Sequence, residues 1–163
     1  MNDYSEELYT KACCVTGHRD ISESMVSKIT RLLQDEIVQA YRDGYRKFYS
    51  GMATGVDLIF VEILSKYKAV SKLDIFIEAV LPYRGAMNKR NAHFQRLVGC
   101  CDAVRVLSEQ YYGKRVYLER NKYMFDNSQK VIAVYDGRVT GGTYFTIEYA
   151  QMNNKDLRII WIE

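Results

Sequence analysis

Arginine and glycine recur together at a few short stretches, and the pairing has a definite chemistry. "TGHRD" (16–20), "SGMATGVD" (50–57), "LPYRGAMNKR" (81–90), "SEQYYGKR" (108–115) and "YDGRVTGGT" (135–143) each follow an apolar run. Four of these five loops carry an arginine: Arg19, Arg84, Arg115 and Arg138. Glycine lets backbone N–H groups approach a ligand closely, and a helix N-terminus favours an anion. Arginine adds a planar fork that matches phosphate or carboxylate. The combination predicts a site for a phosphorylated, nucleotide-like ligand. Thr16, Gly17, His18 and Arg19 would form one wall, and Gly51, Met52, Ala53, Thr54, Gly55 and Asp57 a second. Pro82, Tyr83 and Arg84 follow the third run, Asp136 ends the fifth, and Gly141, Gly142 and Thr143 open the last helix. The same residues fit plainer roles: Gly17 and Gly51 as tight turns, Thr54 and Asp57 as caps, His18 as a structural histidine, the arginines as solvated side chains.

Two further groups could do chemistry. Glu148 falls one to two turns into the helix after the glycine pair, where a carboxylate can hold a ribose hydroxyl or move a proton. Arg120 and Asn121, in "YLERNKYM", share a helix with Tyr117 and Met124. No Gly-x-x-x-x-Gly-Lys-Ser/Thr is present, and no Gly-x-Gly-x-x-Gly follows the first strand, which argues against a P-loop nucleotidase and an ordinary NAD dehydrogenase.

These loops need elements to position them. Strand-like runs cover 12–17, 47–51, 73–82, 102–108, 130–136 and 157–163. Their continuous apolar character suits a sheet covered on both faces. Helical spacing fills the gaps. Met25, Ile29, Leu32, Leu33, Ile37, Ala40 and Tyr41 make one stripe, with Asp20 or Ser22 as the N-cap and Gly44 as the stop. Val56, Ile59, Phe60, Ile63, Leu64 and Tyr67 make another, and further helices are expected near 87–99, 115–127 and 143–153. The alternation predicts an α/β chain: a single Rossmann-like domain over 1–163, with a mostly parallel sheet of about six strands and helices on both faces. Residues 1–11 read as an N-terminal extension. In such sheets ligands bind beyond the carboxyl ends of the strands.

Composition limits the classes. Of the 163 residues, 48% are hydrophobic and 26% charged, which is ordinary for a globular protein and unlike a disordered one. The net charge of +3 does not by itself call for nucleic acid. No apolar stretch suits a membrane span, and the polar start "MNDYSEELYTK" is no signal peptide, so a cytoplasmic protein without a membrane partner is expected. Cys13–Cys14 and Cys100–Cys101 are adjacent pairs whose side chains diverge on a strand. Free thiols and no metal site are expected.

"VTGHRD", "GMATGVD", "LPYRG", "ERNKYM", "VIAVYDG" and "GGTYFTIEYA" occur in an order that resembles YpsA-like proteins of the SLOG superfamily, from Ala12 to about Ala150. The resemblance implies a Rossmann-like fold, assembly into homo-oligomers, and binding of a nucleotide-derived ligand, such as an ADP-ribose-like, NAD-like or nucleoside phosphate molecule. The protein would then act as a sensor or a sequestering protein, with no cofactor implied beyond that ligand. Two related branches supply alternatives. Lonely-guy-type phosphoribohydrolases pair an arginine with a glutamate after a glycine motif. By that likeness Arg120 and Glu148 would be the catalytic pair of a nucleotide N-glycosidic hydrolase, facing each other across the pocket. This chain lacks that motif's proline and its second Gly-Thr element. DprA-type proteins bind single-stranded DNA, which makes single-stranded nucleic acid the third candidate partner.

Overall fold

The computed structural model describes residues 11–162, so most of the expected N-terminal extension (1–11) and Glu163 lie outside the described residues. Six strands form one sheet: β1 (Ala12–Gly17), β2 (Lys47–Ser50), β3 (Phe76–Leu81), β4 (Ala103–Val106), β5 (Lys130–Tyr135) and β6 (Asp156–Trp161). Their spatial order is β4-β3-β2-β1-β5-β6, and every pairing is parallel. Five α-helices connect them: α1 (Glu23–Arg42), α2 (Val56–Ala69), α3 (Ala92–Cys100), α4 (Arg115–Asp126) and α5 (Gly142–Met152). The expected Rossmann-like α/β arrangement is therefore the one observed.

Alternation along each strand divides the core between the two faces. Cys13, Val15, Phe48, Ile77, Leu81 and Val134 pack with Ile29, Leu33 and Ile37 of α1, Phe60 and Leu64 of α2, and Phe94 and Leu97 of α3. Cys14, Tyr49, Val80 and Val131 pack on the other face with Met124 and Phe125 of α4 and Ala150 of α5. Each fully buried side chain of this size contributes roughly 1.5–3 kcal/mol of transfer free energy. The apolar stripe read at 25–41 thus becomes the buried edge of α1. Gly44, at φ 95°, turns the chain after α1 as expected, but Ser22 at the N-cap makes no side-chain capping bond.

Some boundaries differ from those expected. β3 begins only at Phe76, because the chain leaves α2 through Lys72 at φ 56° and Leu73 still donates to the Tyr67 carbonyl at 3.2 Å. The single helix expected near 87–99 is a short 3-10 turn (Arg84–Asn88) followed by α3. The start of α3 is set by Asn91, whose side chain accepts from the His93 and Phe94 N–H groups at 2.9 and 3.2 Å.

The order of strands fixes where a ligand can enter. β1 is flanked by β2 on one side and β5 on the other. The chain leaving β1 goes to a helix on one face, and the chain leaving β5 goes to α5 on the opposite face. The loops therefore part at the carboxyl ends of β1 and β5 and leave a crevice.

Candidate functional site

That crevice is a cleft of about 850 Å³. Thr16, Gly17, His18 and Arg19 line it from the end of β1, Ala53 and Asp57 from the second loop, Arg120 and Asn121 from α4, and Gly141, Gly142 and Thr143 from the start of α5. A smaller recess of about 100 Å³ adjoins it, lined by Gly51, Met52, Pro82 and Tyr83 and sharing Arg19, Ala53, Tyr117 and Arg120 with the cleft. Thr54, Gly55, Arg84, Asp136 and Glu148 line neither space.

Arg120 is the buried centre of the site, only 4% exposed. Its Nη1 donates to the Gly51 carbonyl at 2.6 Å and its Nε to Asn121 Oδ1 at 2.9 Å. A Cβ on Gly51 would sit 2.8 Å from Arg120 Cζ. The Arg120 guanidinium therefore occupies the space a side chain on Gly51 would need, a reason for glycine there besides the expected approach of a phosphate to its backbone. Asp57, in the first turn of α2, is also buried, and its Oδ2 accepts the Ala53 N–H at 3.1 Å. Burial raises the Asp57 carboxyl above its usual range against the pull of Arg120. Burial likewise lowers Arg120, against the pull of Asp57. Desolvation outweighs attraction for both partners, so the pair is expensive without further compensation. Ser50 completes this corner, donating to the Asp57 carbonyl and accepting from the Met52 N–H.

On the opposite wall His18 reaches across the crevice. Its Nε2 lies 3.1 Å from Asp136 Oδ1 and accepts the Asp136 backbone N–H at 3.2 Å. An imidazole nitrogen that accepts is unprotonated, and burial, the largest cause, pulls the His18 pKa down. Arg138 clamps the Asp136 carboxylate through Nε and Nη2, and this hydrogen bonding holds Asp136 down at about 2. Asp136 thus positions His18 and Arg138 from beneath the wall.

Helix phase puts Glu148 elsewhere. Gly142, Thr143 and Phe145 of α5 face the cleft, whereas Tyr144 and Glu148 lie one turn apart on another side, joined by a Tyr144 hydroxyl to Glu148 Oε1 bond of 2.7 Å. Glu148 is exposed there. The expectation that Arg120 and Glu148 face each other across the pocket is therefore corrected. Arg84 also points away, forked onto Glu109 at 2.6 and 2.8 Å, with both side chains exposed.

Several lining residues escaped the sequence reading. Lys114, Tyr117, Leu118 and Phe145 line the cleft, and Lys89 lines the recess. Lys114 was signalled only by its place beside Arg115, and Lys89 by nothing beyond a polar loop. Arg19 stacks on Tyr117 at 5.2 Å from ring centroid to guanidinium carbon, and Tyr117, Tyr111 and Tyr83 form a run with centroid spacings of 6.4 and 5.2 Å.

The arrangement suits an anion attached to a flat, partly apolar body. Arg19, Lys114, Arg115, Arg120 and Arg138 line the cleft against two carboxylates, Asp20 and Asp57. The N-terminus of α5, begun by Gly141 at φ 91°, opens into it. Val15, Leu118, Met124 and Phe145 supply apolar surface. Among the described residues no group of three or more His, Cys, Asp or Glu side chains is placed to hold a metal ion, and no helix is long and apolar enough to cross a membrane.

Comparison with known proteins agrees with this fold. The family model described as the YspA SLOG family matches residues 13–163. No curated protein matches the chain by sequence. Among solved structures, the single-stranded-DNA-binding DNA processing protein A from Helicobacter pylori superposes with a TM-score of 0.65 at 19% identity, over 94% of this chain and 67% of its own. The structural-genomics target TM1055 superposes with a TM-score of 0.57 at 18% identity, over 90% of this chain and 72% of its own. At these identities the likeness is one of fold.

Proposed function

We propose, since this chain belongs to the YspA SLOG family, that it binds a nucleotide or nucleotide-derived ligand in the β1–β5 cleft and serves as a sensor or sequestering protein. One observation carries the reading. Five cationic side chains, a helix N-terminus and an apolar wall converge on one cleft at the point where the strand order reverses. Phosphate is placed at the start of α5, beside Lys114, Arg115 and Arg138. The base and sugar lie along Leu118, Phe145 and Tyr117. A cleft of about 850 Å³ falls within the ~300–1,000 Å³ usual for small-molecule sites. Sequestration in a homo-oligomer belongs to the same reading and rests on family resemblance alone.

Native mass spectrometry of protein purified from its own host tests this, with calorimetric titration of a nucleoside phosphate panel. A co-purifying nucleotide-sized mass, or binding of a panel member that Arg138→Ala weakens, is the expected result. No retained mass together with no binding across the panel would remove the reading.

Single-stranded nucleic acid is the second reading, favoured by the Tyr83–Tyr111–Tyr117 run beside the cationic cleft. Bases stack on such rings. Oligonucleotide binding that falls steeply with salt would select it. N-glycosidic hydrolysis draws less support, because Glu148 is outside the cleft. Free base released from AMP by the wild type would revive it.

A further inference from the structure

Most arginines with a described partner are matched by a carboxylate. Arg84 pairs with Glu109, Arg96 with Glu62, Arg105 with Glu78, Arg138 with Asp136 and Arg158 with Glu36. The recess beside the cleft breaks this pattern. Arg19, Lys89 and Arg120 all line it. Among the described residues the side chains of Arg19 and Lys89 make no hydrogen bond or ion pair, the one bond at Lys89 being its backbone carbonyl, which accepts from Gln95 Nε2. Their contacts are ring faces, Tyr117 for Arg19 and Phe94 at 4.9 Å for the Lys89 ammonium. Arg120 is almost wholly buried, and its Nε and Nη1 are engaged while its Nη2 has no described partner.

Among the described residues Asp57 is the one carboxylate that acts on both Lys89 and Arg120, and it already accepts the Ala53 N–H. Three cations and one carboxylate leave an excess of two positive charges. Lys89 registers this: its ammonium is pulled below the usual lysine range by desolvation first, then by Arg19 and Arg120. Like charges gathered at a partly dry recess are costly unless an anion completes them. The recess, about 100 Å³, has room for a tetrahedral oxyanion, while sugar and base need the larger cleft.

We infer that the recess formed by Arg19, Lys89 and Arg120 is a second phosphate subsite, so that the ligand is a nucleotide bearing phosphate at two separated positions. The inference rests on the nucleotide-binding reading of the cleft. One phosphate sits at the start of α5, and the second crosses the shared wall of Arg19, Tyr117 and Arg120 into the recess. The sugar lies between them, with the base against the apolar wall.

Calorimetry with AMP and adenosine 3′,5′-bisphosphate tests it on the wild type, Lys89→Met and Arg19→Met, with each variant's fold checked by its melting curve. The bisphosphate is expected to bind at least about tenfold more tightly than AMP, the value of one charge-assisted contact, and each substitution is expected to shrink that ratio to about threefold or less. A 5′-phosphorylated dinucleotide distinguishes a terminal phosphate from a bridging diester in the recess, since it presents only the diester there. A ratio near one in the wild type, or a ratio that neither substitution changes, overturns the subsite while leaving nucleotide binding intact. If neither nucleotide binds, the reading of the cleft fails. The recess is then decided by inorganic pyrophosphate. Binding that Lys89→Met weakens several-fold upholds the subsite, and no binding overturns it.

Discussion

Arg120 shows what a sequence reveals about one residue and what it hides. Its place on the helix before β5 could be read from "ERNKYM", yet the reason for Gly51, far away in the chain, could not. A glycine before a helix looks the same whether a phosphate or a guanidinium needs the space. Gly51→Ala gives the two explanations opposite signatures. The added methyl would stand 2.8 Å from a buried Arg120 Cζ that is held on two sides. Overpacking of this kind typically costs ~1–3 kcal/mol, a Tm lower by roughly 3–10 °C for a chain of this size. A melting curve that overlays the wild type would show that Arg120 does not lodge there. Lys89 was invisible for the reverse reason: a lysine in "MNKR" looks solvated until the fold sets Arg19 and Arg120 around it.

Elements were more legible than residues, because periodicity survives where contacts do not. The continuous apolar runs that became β1, β3 and β5 and the stripe that became α1 were readable as such, and so was their parallel arrangement. Boundaries set by one side chain, such as the Asn91 cap of α3, were not. Neither was the phase of α5, which turns Glu148 from the cleft although its spacing after the glycine pair looks right. The link between two elements makes a pH prediction. His18, leaving β1, accepts the Asp136 N–H at the end of β5 in its neutral form. Its folded pKa lies below the ordinary 6.5, so the unfolded chain takes up the proton first as pH falls. Stability from this group is therefore complete above about pH 6.5 and declines as pH drops below that toward the depressed folded value. The Tm of the wild type should fall more between pH 8 and pH 5 than that of His18→Gln, which keeps an acceptor but cannot titrate there. Parallel pH profiles for the two proteins would discard the assignment.

At the scale of the whole molecule, the ordered set of motifs identified the family where no single motif could, and the ligand's identity stayed out of reach because it depends on how side chains from five loops meet. The central strand has a further consequence. β1 pairs with β2 nearby in sequence, but its other partner, β5, is distant: Ala12 and Gln129, bonded at the seam, are 117 residues apart. Closing so long a loop carries a large entropic cost before any contact rewards it, and sheets of high contact order fold slowly. The β1–β5 seam is then a late event on the way to the native state, and the cleft lies directly above it. A nucleotide bound there would grip structure that the folding transition state lacks. Saturating AMP or its bisphosphate should slow unfolding in a denaturant jump and leave the refolding rate nearly unchanged. Acceleration of the refolding limb instead would place the seam in the nucleus. If the seam closes late, the bound molecule acts as a latch on the finished protein, lengthening its lifetime without having helped to build it.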